Sequence, residues 1–352
     1  MPLQLGKLKN LQTLNAFVVG RNRDSVGIKL LKEFQDLHGS LFIKGLQNVR
    51  TLEEVNDAAL SLKSKKSLSH LHLAWDDGQH EAEVDELHKE RELLSVLQPH
   101  PNLKELRIRG YKGNNFPNWM GDHRCLSNLV SLEISYCSNC SFLPSLGQLP
   151  SLMYLFIMDC GVVRIDSEFY YSTSVDSSAA IQAKPFFRSL ETLKFRDMKK
   201  FEEWSVIEGG VFPRLKNLYF QSCLRLKVTL LGDYFPSLTQ LEIFNCEKLL
   251  PLLLPRAQLM QAPLITLKRL RISGFDLMHL DEEPFQHLTS LEELTIRKCP
   301  NLRCLPQELP VSLSNLRIQD CPLLRTRVER ETGGDWPIIA HIPNIIIDDK
   351  KI

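Results

Sequence analysis

The chain has 352 residues, 43% of them apolar and 24% charged, with a formal net charge of +1. That is the balance of a folded chain with no general electrostatic pull toward nucleic acid or anionic membrane, so neither is expected as a partner. Nine cysteines, few and odd in number, exclude a small disulfide-knit secreted scaffold, and no apolar run reaches the roughly 18–20 residues of a membrane helix.

The start, MPLQLGKLKNLQTL, spaces its leucines between polar residues and lacks the continuous apolar core of a secretory signal. The expectation is a soluble, cytoplasmic protein without membrane insertion. Because the patterned segment opens at once, the chain also reads as a piece of something longer.

One template recurs in chain order: an apolar residue, a second three on, a third five on, and a small or apolar residue eight on. The first copy reads Leu11, Leu14, Ala16, Val19. Looser copies follow at Leu41, Ile43, Leu46, at Leu68, Leu71, Leu73, and at Leu103, Leu106, Ile108, Tyr111. From Leu129, Leu132, Ile134, Cys137 the pattern is regular, and it restarts at Leu152, Leu190, Leu215, Leu238, Leu267, Leu291 and Leu313. The last copy is Ile342, Ile345, Ile347, which makes about thirteen in all.

Positions three and five on lie two apart, so they share one side of a strand and point inward. A single copy cannot repay the cost of ordering its backbone, on the order of 25–50 kcal/mol for about 25 residues, so copies must stack. The predicted fold is an α/β leucine-rich-repeat solenoid, a horseshoe with a parallel β-sheet on its concave face and loops and short helices on its convex face. It is read as a single domain over residues 1–352. Residues 1–100 hold irregular repeats with helical insertions, 101–325 regular repeats, and 326–352 a C-terminal cap.

Three segments interrupt the pattern. The run LKSKKS, Leu62 to Ser67, reads as the basic end of a helix begun near Leu52. The acidic insertion Asp76 to His100 predicts a helix with Val84, Leu87, Leu94 and Leu97 near one stripe. Its His80–Glu81 pair opens like a zinc-protease helix, but Val84 stands where the second histidine ligand belongs. Tyr170 to Lys184, rich in Ser and Ala, reads as a mobile, protease-sensitive surface loop.

Cys137, Cys160, Cys223, Cys246, Cys299 and Cys321 all fall eight on. The same slot holds Val19, Leu46, Tyr111, Met198 and Phe275 in other copies, which no metal site or obligatory disulfide accepts. A partly buried apolar slot does, with Cys acting as a small hydrophobe. Cys137 and Cys140 form a CxxC pair without a second pair at matching spacing, so no metal centre is expected. No catalytic constellation and no glycine-rich phosphate loop stands out, so the chain is not expected to be an enzyme.

Positions two, four, six and seven on form the outward face, where a solenoid meets its partners. Its middle carries Tyr136, Tyr154, Phe156, Tyr219 and Phe244, and its C-terminal part Arg269, Arg271, Arg297, Lys298 and Arg317. Exposed aromatics and arginines anchor protein interfaces, although a solvated sheet also holds β-formers and charges. Arg107 and Arg109 add a smaller basic spot, while Glu242 and Glu293 interrupt the larger one. At the start, Leu8, Leu11 and Leu14 leave an apolar edge that reads as a docking surface for another domain.

The motifs LGKLKNLQTLNAFVVG, LHGSLFIKGLQNV, LHLAWDDG, LLSVLQPHPNLKELRIRGYKG, FPNWMG, SLGQLPSL and GDWPIIAHIPNIIID follow one another over essentially the whole chain. In this order they resemble the leucine-rich-repeat region of plant coiled-coil, nucleotide-binding (NB-ARC) immune receptors. The resemblance implies a ligand-recognition and autoinhibition role, with a pathogen effector or guarded host protein and the parent's NB-ARC module as partners. It implies no cofactor here, since ADP or ATP would belong to the absent upstream module. A stand-alone repeat scaffold or a receptor remnant is the alternative.

Overall fold

The computed structural model describes residues 7–8, 10–21, 27–49, 62–76, 84–171, 185–205, 207, 211–229, 235–249 and 264–352. Two compact units divide the chain, Met1–Leu190 and Glu191–Ile352. In the first, β1 (Ala16–Val18), β2 (Gly39–Lys44), β3 (Leu68–Ala74), β4 (Glu105–Arg109), β5 (Ser131–Ser135) and β6 (Tyr154–Met158) neighbour one another in chain order, all parallel. Their inward residues stand in register: Leu41, Leu71, Leu106, Leu132 and Leu155 form one row, none more than 2% exposed.

The second unit repeats the arrangement. Its parallel strands are β7 (Thr192–Arg196), β8 (Asn217–Gln221), β9 (Gln240–Phe244), β10 (Arg269–Ser273), β11 (Glu293–Arg297), β12 (Asn315–Gln319) and β13 (Asn344–Ile347). Phe195, Phe220, Ile243, Ile272, Ile296, Ile318 and Ile347 form one buried row. Each buried Leu, Ile or Phe contributes about 1.5–3 kcal/mol. Both units are leucine-rich-repeat solenoids, with the strands where the template's two central positions fall.

The first copy corrects the sequence reading. Phe17, not Ala16, pairs with Ile43 and is fully buried; Ala16 sits half-buried opposite Phe42 on the outer side. A slip of one residue exchanges the two faces of a strand, and the larger apolar ring takes the inward place.

Two devices tie each repeat to the next. The first lies just past the strand, seven on, where the backbone turns left-handed at Gly110, Tyr136, Asp159, Asp197, Ser222, Asn245, Gly274, Lys298 and Asp320. There the turn's N–H donates to the end of the following strand: Tyr136 to the Met158 carbonyl at 2.9 Å, Ser222 to Phe244 at 2.8 Å, Lys298 to Gln319 at 2.9 Å. The second is a hydroxyl before the copy's first leucine. Ser151 donates to the Ser127 carbonyl, Ser237 to Pro213 and Ser312 to Leu291, each at 2.8 Å.

On the opposite side lies helix α1 (Val84–Val96); of the predicted stripe Leu94 and Leu97 are buried and Leu87 half-buried, the Val84 side chain lies outside the described residues, and Leu93, which the stripe did not include, is buried as well. Trp119 of the FPNWMG motif donates its indole N–H to the Leu94 carbonyl at 3.1 Å, and Glu90 accepts the Lys112 N–H at 2.7 Å. In SLGQLPSL, a Cβ on Gly147 would stand 2.4 Å from the Tyr170 carbonyl oxygen, so only glycine fits. Within the basic run, which forms turns after Leu62, Lys65 is 2% exposed and its ammonium donates to the Phe34 carbonyl. Burial holds its pKa below the usual lysine range. The helix expected near Leu52, and residues 172–184 of the Ser- and Ala-rich loop, lie outside the described residues.

The C-terminal end closes on itself. Helix α2 (Pro322–Arg327) and helix α3 (Trp336–Ile339) flank Asp335. That carboxylate is 2% exposed, accepts the Leu305 N–H at 3.0 Å and pairs with Arg327 at 2.6 Å. After β13 the chain reverses through Asp348 and Asp349, both left-handed, and β14 (Lys350–Lys351) pairs antiparallel on β13. Two left-handed residues between two strands make the tight hairpin turn that suits a sheet's twist.

Candidate recognition face

Strand residues two, four and six on alternate with the buried rows and so form the open side of each sheet. In the first unit the register places Phe42, His72, Arg107, Glu133 and Phe156 in one row across β2–β6. Phe42 and His72 stack with centroids 4.0 Å apart and planes 2° from parallel, and the Lys44 ammonium lies 4.3 Å from the Phe42 centroid. Burial, then Arg107, Arg109 and Lys44, hold His72 down at about 4, so the ring is neutral near pH 7.

Arg107 pairs with Glu105 at 2.6 Å and Glu133 at 3.7 Å, which offsets its charge. Arg109 lies 4.2 Å over the Tyr136 ring. Tyr136 therefore belongs to the left-handed turn, seven on, rather than to the strand. Tyr154 is 46% exposed and Phe156 half-buried on β6. The structure thus gathers these three aromatics along β5 and β6.

In the second unit the five predicted cations separate into two groups. Arg271 bridges Glu242 at 3.2 Å and Glu293 at 3.0 Å, and Arg269 donates twice to the Gln240 side chain at 2.9 and 3.2 Å. Arg297, Lys298 and Arg317 are exposed and form no ion pair among the described residues. Lys298 occupies the left-handed turn after β11. Tyr219 and Phe244 are half-buried, and the Lys194 ammonium lies 4.4 Å from the Tyr219 centroid.

The sequence reading missed Lys44, Phe42, His72 and Lys194. All four occupy outward positions, and the looser upstream copies obscured three of them. At the other proposed surface, Leu8 is 52% exposed while Leu11 and Leu14 are half-buried beside β1.

The thiols are all free. Each slot cysteine hydrogen-bonds the carbonyl two residues back, as Cys246 does to Phe244 at 3.1 Å and Cys299 to Arg297 at 3.2 Å. Cys140 donates to the Gly113 carbonyl at 3.0 Å. Burial pushes Cys137 well up and Cys140 up, which keeps them protonated and unreactive. Among the described residues no His, Cys, Asp and Glu cluster could hold a metal ion, and no helix is long and apolar enough to cross a membrane.

The family described as R13L1/DRL21 LRRs matches residues 28–160. A disease-resistance RPP13-like protein of Arabidopsis thaliana is 35% identical over 86% of this chain and 29% of its own length. From Solanum bulbocastanum, disease resistance protein RGA2 is 33% identical over 88% of this chain and 27% of its own length. RGA4 of the same species is 33% identical over 98% of this chain and 38% of its own length. The chain therefore spans well under half of these relatives. Among solved structures, an internalin from Listeria monocytogenes covers 87% of this chain and 80% of its own at 16% identity and a TM-score of 0.39.

Proposed function

Residues 28–160 belong to the R13L1/DRL21 leucine-rich repeats, and the whole is a leucine-rich-repeat region of the plant disease-resistance type; from that premise we propose that it is the recognition and autoinhibition module of an intracellular immune receptor. Its open sheet face binds a pathogen effector or a guarded host protein. Its first repeats dock on the NB-ARC module of the parent, which holds ADP or ATP. Partner binding favours the released state, a population shift driven by the difference in affinity for the two states.

The observation that carries the reading is the contrast on β10–β12: Arg271 is held by two carboxylates, while Arg297, Lys298 and Arg317 stand exposed beside it without an ionic partner among the described residues. Cations without partners on a rigid sheet are groups whose desolvation a binding partner can compensate. Leu8, Leu11 and Leu14 supply the apolar surface for the module.

The test is co-expression of this chain with the NB-ARC module of RGA2 and pull-down of the pair. Association is expected, lost with Leu11→Asp/Leu14→Asp and retained with Arg271→Glu/Arg297→Glu/Arg317→Glu. No association of the unsubstituted chain would overturn the receptor reading in favour of a stand-alone scaffold.

A further inference from the structure

The hydroxyl-bearing residues Ser273 on β10 and Thr295 on β11 are 8% and 5% exposed, yet both stand on the outward side of the sheet. Neither hydroxyl has a hydrogen-bond partner among the described residues. Small side chains here make a low floor. Around it the register sets Arg271 beside Thr295, Thr295 beside Arg317, and Ser273 beside Arg297. Two hydroxyls on the floor and the guanidinium groups of Arg297 and Arg317 beside them are the donor types that bind oxyanions.

Glu242 and Glu293 do not fill that receptor, because both are held by Arg271. Arg297 and Arg317 lie one strand and two residues apart. At about 4.8 Å between strands and about 6.6 Å along them, their backbones are about 8 Å apart. Side chains on one side of an extended peptide recur at about 6.8 Å, which the flexible arginines match.

We propose that β10–β12 bind an acidic segment of a protein partner, with carboxylates at alternate residues seated on Arg297 and Arg317 above Ser273 and Thr295. The proposal rests on the reading of the sheet face as a recognition surface and gives that surface its ligand chemistry. A nucleic acid fits less well: the patch carries few cations, two carboxylates lie within it, and its aromatic neighbours Tyr219 and Phe244 are half-buried rather than presented for base stacking.

The experiment is fluorescence anisotropy of the full chain with three labelled probes: a ten-residue peptide alternating Asp and Ser, its Lys and Ser counterpart, and a ten-nucleotide oligothymidine. The Asp–Ser peptide should bind and weaken as salt rises. Its affinity should fall at least about tenfold in both Arg297→Glu/Arg317→Glu and Arg297→Gln/Arg317→Gln and stay unchanged in the surface control Arg188→Glu. Equal binding by all variants, or oligothymidine bound as tightly as the acidic peptide, would overturn the proposal. Absent peptide binding with module association intact removes only the ligand chemistry. Absent module association with peptide binding intact removes the receptor reading and leaves the acidic-ligand site on a scaffold.

Discussion

At β1 the first unit's sheet ends on three residues, with Leu8 about half exposed and Leu11 and Leu14 half-covered. At β13 the second unit's sheet ends under its own chain, where β14 pairs on the edge and Asp335 ties the end of α2 to the loop at Leu305. One end offers apolar side chains and a strand edge; the other has hydrogen-bonded its edge and set charge beyond it. An exposed strand edge is a pairing site unless it is covered or charged. The difference is that the β13 edge carries a paired strand and charge, while the residues beside β1 carry partly exposed leucines.

Substitutions at the two ends separate them by size of effect. Phe17→Ala should cost the most, about 3–4 kcal/mol in urea unfolding, since a fully buried ring is removed. Ala16→Ser in the same strand should be nearly silent; the reverse ranking would return β1 to the slipped register. Asp335→Ala should cost about 2–3 kcal/mol by leaving the buried Leu305 N–H without an acceptor, and should speed hydrogen exchange in β12–β14 before any other strand. Uniform exchange would deny Asp335 its role as a local tie.

Acid should loosen the strands around His72. His72 binds its proton at about 4 when folded and near 6.5 when unfolded, so the unfolded chain takes up more protons between those values. Its contribution is therefore full above about pH 6.5 and is lost as pH falls toward 4. After solvent screening of this half-buried ring the loss is about 1–2 kcal/mol, and His72→Phe should flatten it in unfolding measured from pH 7.5 to 5. At the other end, Asp349→Gly should raise stability by about 0.5 kcal/mol by relieving a left-handed residue, read from the unfolding midpoint. Leu8→Gln should change stability by less than about 0.5 kcal/mol; a larger loss would mean that its side chain packs in solution.

Much of this was legible. The LxxLxL spacing located the inward rows of β5 to β13 but not the short strands at Arg164–Ile165, Glu203–Ser205 and Lys227–Thr229, and the mixed occupants of the slot eight on gave away its apolar character before any thiol was placed. The left-handed turns had a signal too, since Gly110, Asp159, Asp197, Asn245, Gly274 and Asp320 are residue types that tolerate that conformation. Tyr136 and Lys298 concealed it, and so were read as sheet residues. The first copy misled because Leu11 and Leu14 imitate the template while the bulkier Phe17 decides the register. Nothing local marks Asp335 as a partner of Leu305, or Arg271 as the residue that takes both nearby carboxylates. Such contacts join residues 22 to 30 positions apart and exist only once the coil has closed.

The N–H of the left-handed turn reaches the next strand regardless of how much chain intervenes. Strands β8 and β9 begin 23 residues apart and β9 and β10 begin 29 apart, yet both pairs hold the same register and the same link. The back of each coil can therefore lengthen or shorten by several residues without moving a side chain on the front. Insertions and deletions become a source of variation that leaves the strand register in place, while single substitutions on the outward-facing row leave the backbone link of the left-handed turn in place. Such a chain can change what it touches and how long its loops are as two independent inheritances.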